Sequence, residues 1–235
     1  MDDNEPALTA AEKRATVADL LKSRSGVYHP TLYETAAMAA KRPARGSHAP
    51  GSFWYYNNWD FNALNTVYEA RTKTSIYTAF AQRMAQPLQM QDWRAEDGVY
   101  FTGEQSVHAA YPMRMSARDL ARFGLLYLRG GQWAGKQVVP ADWVHQSVQP
   151  HSDTGADGGY GYLWWVAVDG RHLPDIRVPA GTFSAQGWGG HMVVVVPAYD
   201  LVVVHRVNTD VSTQMVSDPQ FARLLQMILE ARVSR

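Results

Sequence analysis

Two short stretches of this chain hold residue types whose spacing could do chemistry. The first is PGSFWYYNN, Pro50 to Asn58. A Pro-Gly turn runs into aromatics, then into Tyr56-Asn57-Asn58, ahead of a helix that the pattern starts near Asp60. A phenol and an amide two residues apart offer one group that can carry a proton and one that can hold a hydrogen bond. A phenol has an ordinary pKa of about 10, so it acts as a base near neutral pH only beside a cation. The second stretch is Gly187-Trp188-Gly189-Gly190, at the mouth of the strand-like run HMVVVVP. Glycines at a strand edge leave backbone that another group can approach closely. Each stretch also has a plainer reading. Tyr55 and Tyr56 are equally core aromatics before a helix, and Gly189-Gly190 is equally a bulge or a turn.

Many other chemistries have no foothold. There is no G-x-S-x-G, no H-E-x-x-H, no phosphate-binding G-x-x-x-x-G-K and no G-x-G-x-x-G. The absence of cysteine removes disulfides, thiol nucleophiles and cysteine metal sites. The eight histidines are scattered without ligand spacing: His29 precedes Pro30, and His205 lies in a valine run. No metal and no cofactor is expected. Lys plus Arg is 22 and Asp plus Glu is 22, so the charge balance gives no footprint for nucleic acid or an anionic membrane. Local basic clusters such as KRPAR, Lys41–Arg45, read as solvated loops. Apolar runs are only a few residues long, far short of the ~20 that span a bilayer. The start, MDDNEPALTAAEKR, is acidic and polar, unlike a secretory signal.

The elements that must position the two stretches read as α+β: a helical subdomain, then an antiparallel sheet, then a C-terminal helix. The length of 235 residues fits one domain or one two-part domain. TVADLLKSRSG places Thr16 as N-cap with Asp19 three residues on, and Val17, Leu20 and Leu21 on one apolar face. DFNALNTVYEAR puts Phe61, Leu64, Val67 and Tyr68 at helical spacing. SIYTAFAQRMAQPL forms a helix ending near Pro87. SARDLARFGLLYLRGG has Ser116 and Asp119 as a capping box, a stripe of Leu120, Phe123, Leu126 and Tyr127, and Gly130-Gly131 as terminator. PADWVHQSV starts with Pro140 at the first helical position. From about Gly158 the character turns to strands: GYGYLWWVAV, GTFSAQGW, HMVVVVP and LVVVHRV. The near-continuous valine predicts a sheet covered on both faces, with DPQFARLLQMILEARV as one cover.

In this order the segments resemble the serine hydrolases of the β-lactamase and penicillin-binding-protein superfamily, closest to class C β-lactamases and their esterase relatives. The resemblance runs from about Thr16 to Val207. TVADLLKSRSGV resembles the segment downstream of the nucleophile. PGSFWYYNN resembles the family's P-G-x-x-x-x-Y-x-N. SARDLARFGLLYLRGG and VVPADWV resemble its helical subdomain. GYGYLWW and GWGGHMVVVVPAYDLVVV resemble its C-terminal strands. The resemblance implies that Tyr56 moves the proton of an attacking serine, and that Asn58 hydrogen-bonds the family's lysine or a substrate carbonyl. It implies that Trp188-Gly189-Gly190 is the third motif, with Gly189 and Gly190 letting an acyl group lie against the strand. The backbone N–H of His191 is then an oxyanion donor, a type of contact worth ~3 kcal/mol. β-Lactamases carry a basic residue where Trp188 stands, so tryptophan implies a neutral ester or amide substrate. The resemblance also implies that Tyr56 and Trp188 face one another across a shared cleft.

The family's S-x-x-K is missing: no serine here has lysine three positions on. The expectation is therefore a single incomplete β-lactamase-like domain over 1–235, with a helical subdomain at about 16–150 and the sheet plus C-terminal helix at about 158–235. The reading is of a C-terminal portion that is inactive and poorly soluble unless a missing N-terminal segment or another chain supplies the nucleophile. Two alternatives remain. One is a peptidase or amide hydrolase acting on cell-wall or oligoamide substrates. The other is a non-catalytic binding relative of the same fold. The resemblance allows a periplasmic parent, while no residue here carries an address.

Overall fold

Thr16 starts the first helix in the way its spacing predicts. In the computed structural model, which describes residues 2–232, its hydroxyl accepts the Asp19 N–H at 3.2 Å, and Asp19 Oδ2 accepts the Thr16 N–H at 3.0 Å. This reciprocal cap opens α1 (Val17–Leu21). Leu20 is buried, but Val17 is 49% exposed and lies off the expected apolar face. The chain divides into two units. One runs as far as Gln86 and takes in Trp93–Arg114; the other holds Pro87–Asp92 and the chain from Met115.

The first unit contains α1, α2 (Ala36–Lys41), α3 (Asn58–Thr72), α4 (Ile76–Phe80) and the hairpin of β1 (Phe101–Gly103) with β2 (Ser106–Ala110). A further turn, Ala81–Ala85, extends α4 toward Pro87 with wider π-type winding. Leu8, Leu20, Val27, Trp59 and Ala63 form the core. The expected stripe of α3 is displaced. Phe61, Leu64, Val67 and Tyr68 are only half-buried, while Trp59, Asp60, Asn62, Ala63 and Asn65 are buried. The reason is that polar side chains on this face fasten loops. Asn62 Nδ2 donates to Thr31 Oγ1 at 3.1 Å and to the Leu32 carbonyl at 3.4 Å. Hydrophobic spacing alone cannot register a helix that turns its amides inward. The hairpin was not anticipated either. Its only β-branched strand residue other than Thr102, Val107, is 58% exposed, and its inward anchor is His108, set edge-on to Trp59 at 5.2 Å.

The second unit contains α5 (Ala117–Leu128), the two-residue strands β3 (Gln132–Trp133) and β4 (Lys136–Gln137), and α6 (Ala141–Ser147). Pro140 stands at the N-cap of α6, one place before the position expected. A six-stranded antiparallel sheet follows: β5 (Ser152–Asp153), β6 (Gly159–Tyr160), β7 (Trp165–Val166), β8 (Phe183–Gly187), β9 (His191–Val196) and β10 (Leu201–His205). The spatial order is β10-β9-β8-β7-β6-β5. GYGYLWWVAV folds back on itself as β6 and β7, because Gly161 N–H bonds the Trp164 carbonyl at 2.7 Å and closes a turn.

Valine runs through β9 because both of its faces are covered. Met192, Val194 and Val196 meet α7 (Asp218–Glu230) through Phe221, Ala222 and Leu225. On the other face Val195 joins Trp164, Val166 and Phe183, against Phe123 and Tyr127 of α5. Alternation along the strand sends successive side chains to opposite covers, and neither set can be polar. The architecture is α+β with a partial β-lactamase-like fold.

Candidate functional site

The Tyr56 stretch is built into the entrance of α3. Gly51, at φ +80°, makes the turn after Pro50. The Gly51 N–H bonds the Arg24 carbonyl at 2.8 Å, and the Tyr55 N–H bonds the Ser23 carbonyl at 2.9 Å. These bonds lay the stretch along the loop that follows α1. Asn57 is the N-cap: its Oδ1 accepts the Asp60 N–H at 2.9 Å, and its Nδ2 donates to the Tyr55 carbonyl at 2.7 Å. Tyr56 is therefore held at the last non-helical turn, with its ring edge-on to Phe61 at 5.1 Å. Burial pushes its phenol above the ordinary range, so it carries its proton at neutral pH. Asn58, in the first turn, donates from Nδ2 to the Tyr33 carbonyl at 2.6 Å.

One residue of this entrance escaped the sequence reading. Asp60 is fully buried, and burial holds its carboxyl up at about 7 against hydrogen bonds from Ser25 and Asn57. The available signal was Asn57 followed three residues later by an acid, a capping pattern that the aromatic run obscured.

The second stretch is the tip of the β8–β9 hairpin. Gly187 pairs with His191, and Trp188, Gly189 and Gly190 make the turn between them. Trp188 is 65% exposed. Gly189 and Gly190 have φ of +77° and +99°, which glycine alone adopts without strain. A Cβ on Gly189 would stand 2.6 Å from Thr209 Cγ2, and one on Gly190 would stand 2.6 Å from the Val216 carbonyl oxygen. The Val216 N–H bonds the Gly189 carbonyl at 3.0 Å, and His205 Nδ1 lies 2.7 Å from the Gly190 carbonyl. The space over both glycines is thus filled by the chain's own 209–216 segment, and this packing is reason enough for glycine at each. His191 is half-buried, and burial lowers its pKa, with Arg206 and His205 acting in the same direction. Its Nδ1 accepts the Val207 N–H at 3.4 Å, which places the ring proton on Nε2.

The structure brings Tyr56 and Asn58 together in the first unit, and Trp188, Gly189, Gly190 and His191 together in the second. Among the described residues no group of three or more metal-ligating side chains could hold an ion, and no helix is long and apolar enough to cross a membrane.

Solved structures share this fold. A class C β-lactamase superposes with a TM-score of 0.66 at 14% identity, over 96% of this chain and 72% of its own. A putative 6-aminohexanoate-dimer hydrolase from Bacillus anthracis gives 0.62 at 20% identity, over 93% of this chain and 61% of its own. An uncharacterized protein of Alkalihalophilus pseudofirmus is 24% identical over 183 residues, which is 68% of this chain. The chain spans about half, 53%, of the length of that curated relative. A family model described as beta-lactamase matches residues 4–227. With nearly every described residue inside that match, the chain belongs to the β-lactamase family of serine hydrolases.

Proposed function

We propose that this chain carries the proton-moving and carbonyl-binding residues of an acyl hydrolase acting on an ester or amide. In the reaction a serine oxygen attacks the substrate carbonyl, the carbonyl–oxygen or carbonyl–nitrogen bond breaks, and the leaving group takes the serine's proton. Water then attacks the acyl-enzyme and releases a carboxylic acid. Tyr56 relays the proton in both halves. Asn58 orients its neighbours, and the N–H of His191 faces the developing oxyanion. Trp188 borders the acyl group.

The observation that carries this reading is the Tyr56-Asn57-Asn58 sequence fixed at a capped helix entrance, in a chain of this family. Burial raises the Tyr56 phenol, so in this role it needs a cation beside it before it can serve as a base. These residues hold no S-x-x-K, so the serine and the cation come from outside them. The missing pair also supports a second reading, a binding relative that kept the cleft residues and lost the chemistry. The name of the Bacillus anthracis neighbour favours an amide over an ester within the first reading.

The test is hydrolysis of a p-nitrophenyl acyl ester and its anilide by the chain alone, and by the chain joined to any in-frame S-x-x-K segment its gene encodes upstream. The chain alone should match buffer, and the joined protein should turn over. Tyr56→Phe should then reduce kcat by about 10²–10⁴-fold. Serine-dependent turnover by the chain alone would overturn the absent nucleophile. A joined protein that binds but never hydrolyses would establish the binding relative.

A further inference from the structure

Asp60 is the acid in the first turn of α3, and it is fully buried. Aspartate seldom gives up water completely unless its oxygens are satisfied. Here the carboxyl turns inward. Its Oδ2 accepts the Ser25 N–H at 3.4 Å, and the Ser25 and Asn57 side chains also bond the carboxyl. Its Oδ1 is buried and has no hydrogen-bond partner among the described residues. A buried carboxylate with one oxygen unmet is costly, so such a group keeps its proton to higher pH than usual. The proton relay through Tyr56 does not use this acid.

The two groups it holds lie on either side of the Tyr56 stretch. Ser25 belongs to the loop whose Ser23 and Arg24 carbonyls accept the Tyr55 and Gly51 N–H groups. Ser25 Oγ also accepts the Val27 N–H at 3.1 Å, which closes that loop on itself. Gly26, at φ +70°, lies so near the following chain that a Cβ on it would stand 2.8 Å from the His48 carbonyl oxygen. Asn57 follows Tyr56 directly, and its Oδ1 accepts the Asp60 N–H. One residue is thus bonded to the wall in front of Tyr56 and to the cap behind it. Burial holds the Asp60 carboxyl at about 7, and Asp19 pushes it in the same direction from α1. Asp19 Oδ1 lies 3.8 Å from Lys22 Nζ. From the loop, Tyr28 faces Asp60; burial first and Asp60 second push that phenol up to about 12, and its hydroxyl lies 3.0 Å from His48 Nδ1.

We propose that Asp60 is a positioning residue for Tyr56: its carboxyl clamps the Ser23–Val27 loop to the Asn57 cap, and loss of its proton loosens that clamp. The catalytic meaning rests on the reading of Tyr56 as the proton relay, whereas the clamp is a property of the folded chain. With its proton on, the carboxyl is neutral and tolerates a dry site. With the proton off, the unmet Oδ1 draws water into the base of α3, and the wall in front of Tyr56 gives way. The neutral form dominates below about pH 7, so Tyr56 is held most firmly there and more loosely above it.

Carbon-13 resonances of the tyrosine rings in the folded chain test this without any turnover, so failure of the hydrolase reading leaves the result intact. The Tyr56 signal, assigned by its loss in Tyr56→Phe, should move in one step between about pH 6 and 8. Asp60→Asn keeps an acceptor for Ser25 and cannot ionise. It should abolish the step and hold Tyr56 at its low-pH position throughout. Asp60→Ala removes the clamp, and the Tyr56 phenol, now wetter, should titrate about one pH unit lower than in the parent chain. Ser25→Ala removes a bond that favours the ionised carboxyl, so the step should move to higher pH. A parent chain without the step overturns the proposal. So does a step that survives in Asp60→Asn, which then belongs to His48 or another group, or a Tyr56 phenol unchanged in Asp60→Ala. If neither Asp60 variant folds, Ser25→Ala decides: a step that stays where it is in the parent overturns the clamp.

Discussion

Gly124 of α5 lies directly over Val202 of β10: a methyl group on Gly124 would stand 2.6 Å from Val202 Cγ1 and 3.1 Å from Val193 Cγ1. The helix comes this close to the sheet because one residue of its buried face has no side chain, which lets Phe123 and Tyr127 reach Trp164 on either side of the contact. Gly124→Ala should destabilise the protein by about 1–3 kcal/mol through overpacking, despite alanine's better helix propensity. Val202→Ala in the same chain should restore part of the loss. A denaturant double-mutant cycle measures the coupling, and additive single effects would show that the contact is slack.

The two glycines of the hairpin tip make a second prediction. Gly190→Ala forces a Cβ against the Val216 carbonyl at a φ of +99°. It should lower the melting temperature with or without any ligand present, by a free energy of roughly 2 kcal/mol. A variant that melts normally and loses only ligand binding would make the glycines a binding feature and not a packing one.

His172 is fully buried, and neither ring nitrogen has a hydrogen-bond partner among the described residues. Burial depresses its pKa to about 4. The folded value lies below the unfolded one, so the stability tied to the neutral ring is complete above about 6.5 and is lost as pH falls toward 4. The loss reaches roughly 3 kcal/mol once the pH is below the folded value. His172→Leu should remove this limb of the pH–stability curve and be neutral or stabilising at pH 7, because it deletes two unmet polar atoms. Urea melts at pH 7, 5.5 and 4.5 report the difference; parallel curves for both proteins would refute it.

Acid should also loosen the N-terminal segment of the first unit. Burial alone would raise the Asp3 carboxyl, but hydrogen bonds from the Trp59 indole at 2.6 Å, the Val107 N–H at 2.9 Å, the Asn4 N–H and the Ser106 hydroxyl outweigh it and hold the pKa low. The Arg45 guanidinium, and behind it Thr9, hold Glu12 at about 2 against burial. His29 lies 3.8 Å from both carboxylates, and burial keeps it below its ordinary value. All three folded pKa values lie below the unfolded ones. Their contributions are present at pH 7 and fall away together as the pH drops, first through the histidine range and then through the carboxylate range. The Trp59 indole N–H resonance should shift and broaden along that path, and Asp3→Asn should produce the change at neutral pH. A resonance unmoved down to pH 3 would remove Asp3 from this role.

Much of the architecture was legible because it depends on local rules. Thr16 with Asp19 and Ser116 with Asp119 mark helix starts by satisfying exposed N–H groups, and a cap needs only its own turn. The doubled valine runs marked a sheet covered on both faces, since an exposed face would have alternated with polar residues. The order of the segments was enough to place the chain in its family. What only the tertiary structure decided was which groups are left without water. Spacing cannot tell that α3 turns Asp60 and Asn62 inward, or that residues 209–216 fill the space over Gly189 and Gly190. Desolvation is set by atoms far apart in the chain, and it shifts the pKa values of Tyr56, Asp60, His172 and Arg206 without leaving a trace in their neighbours along the sequence.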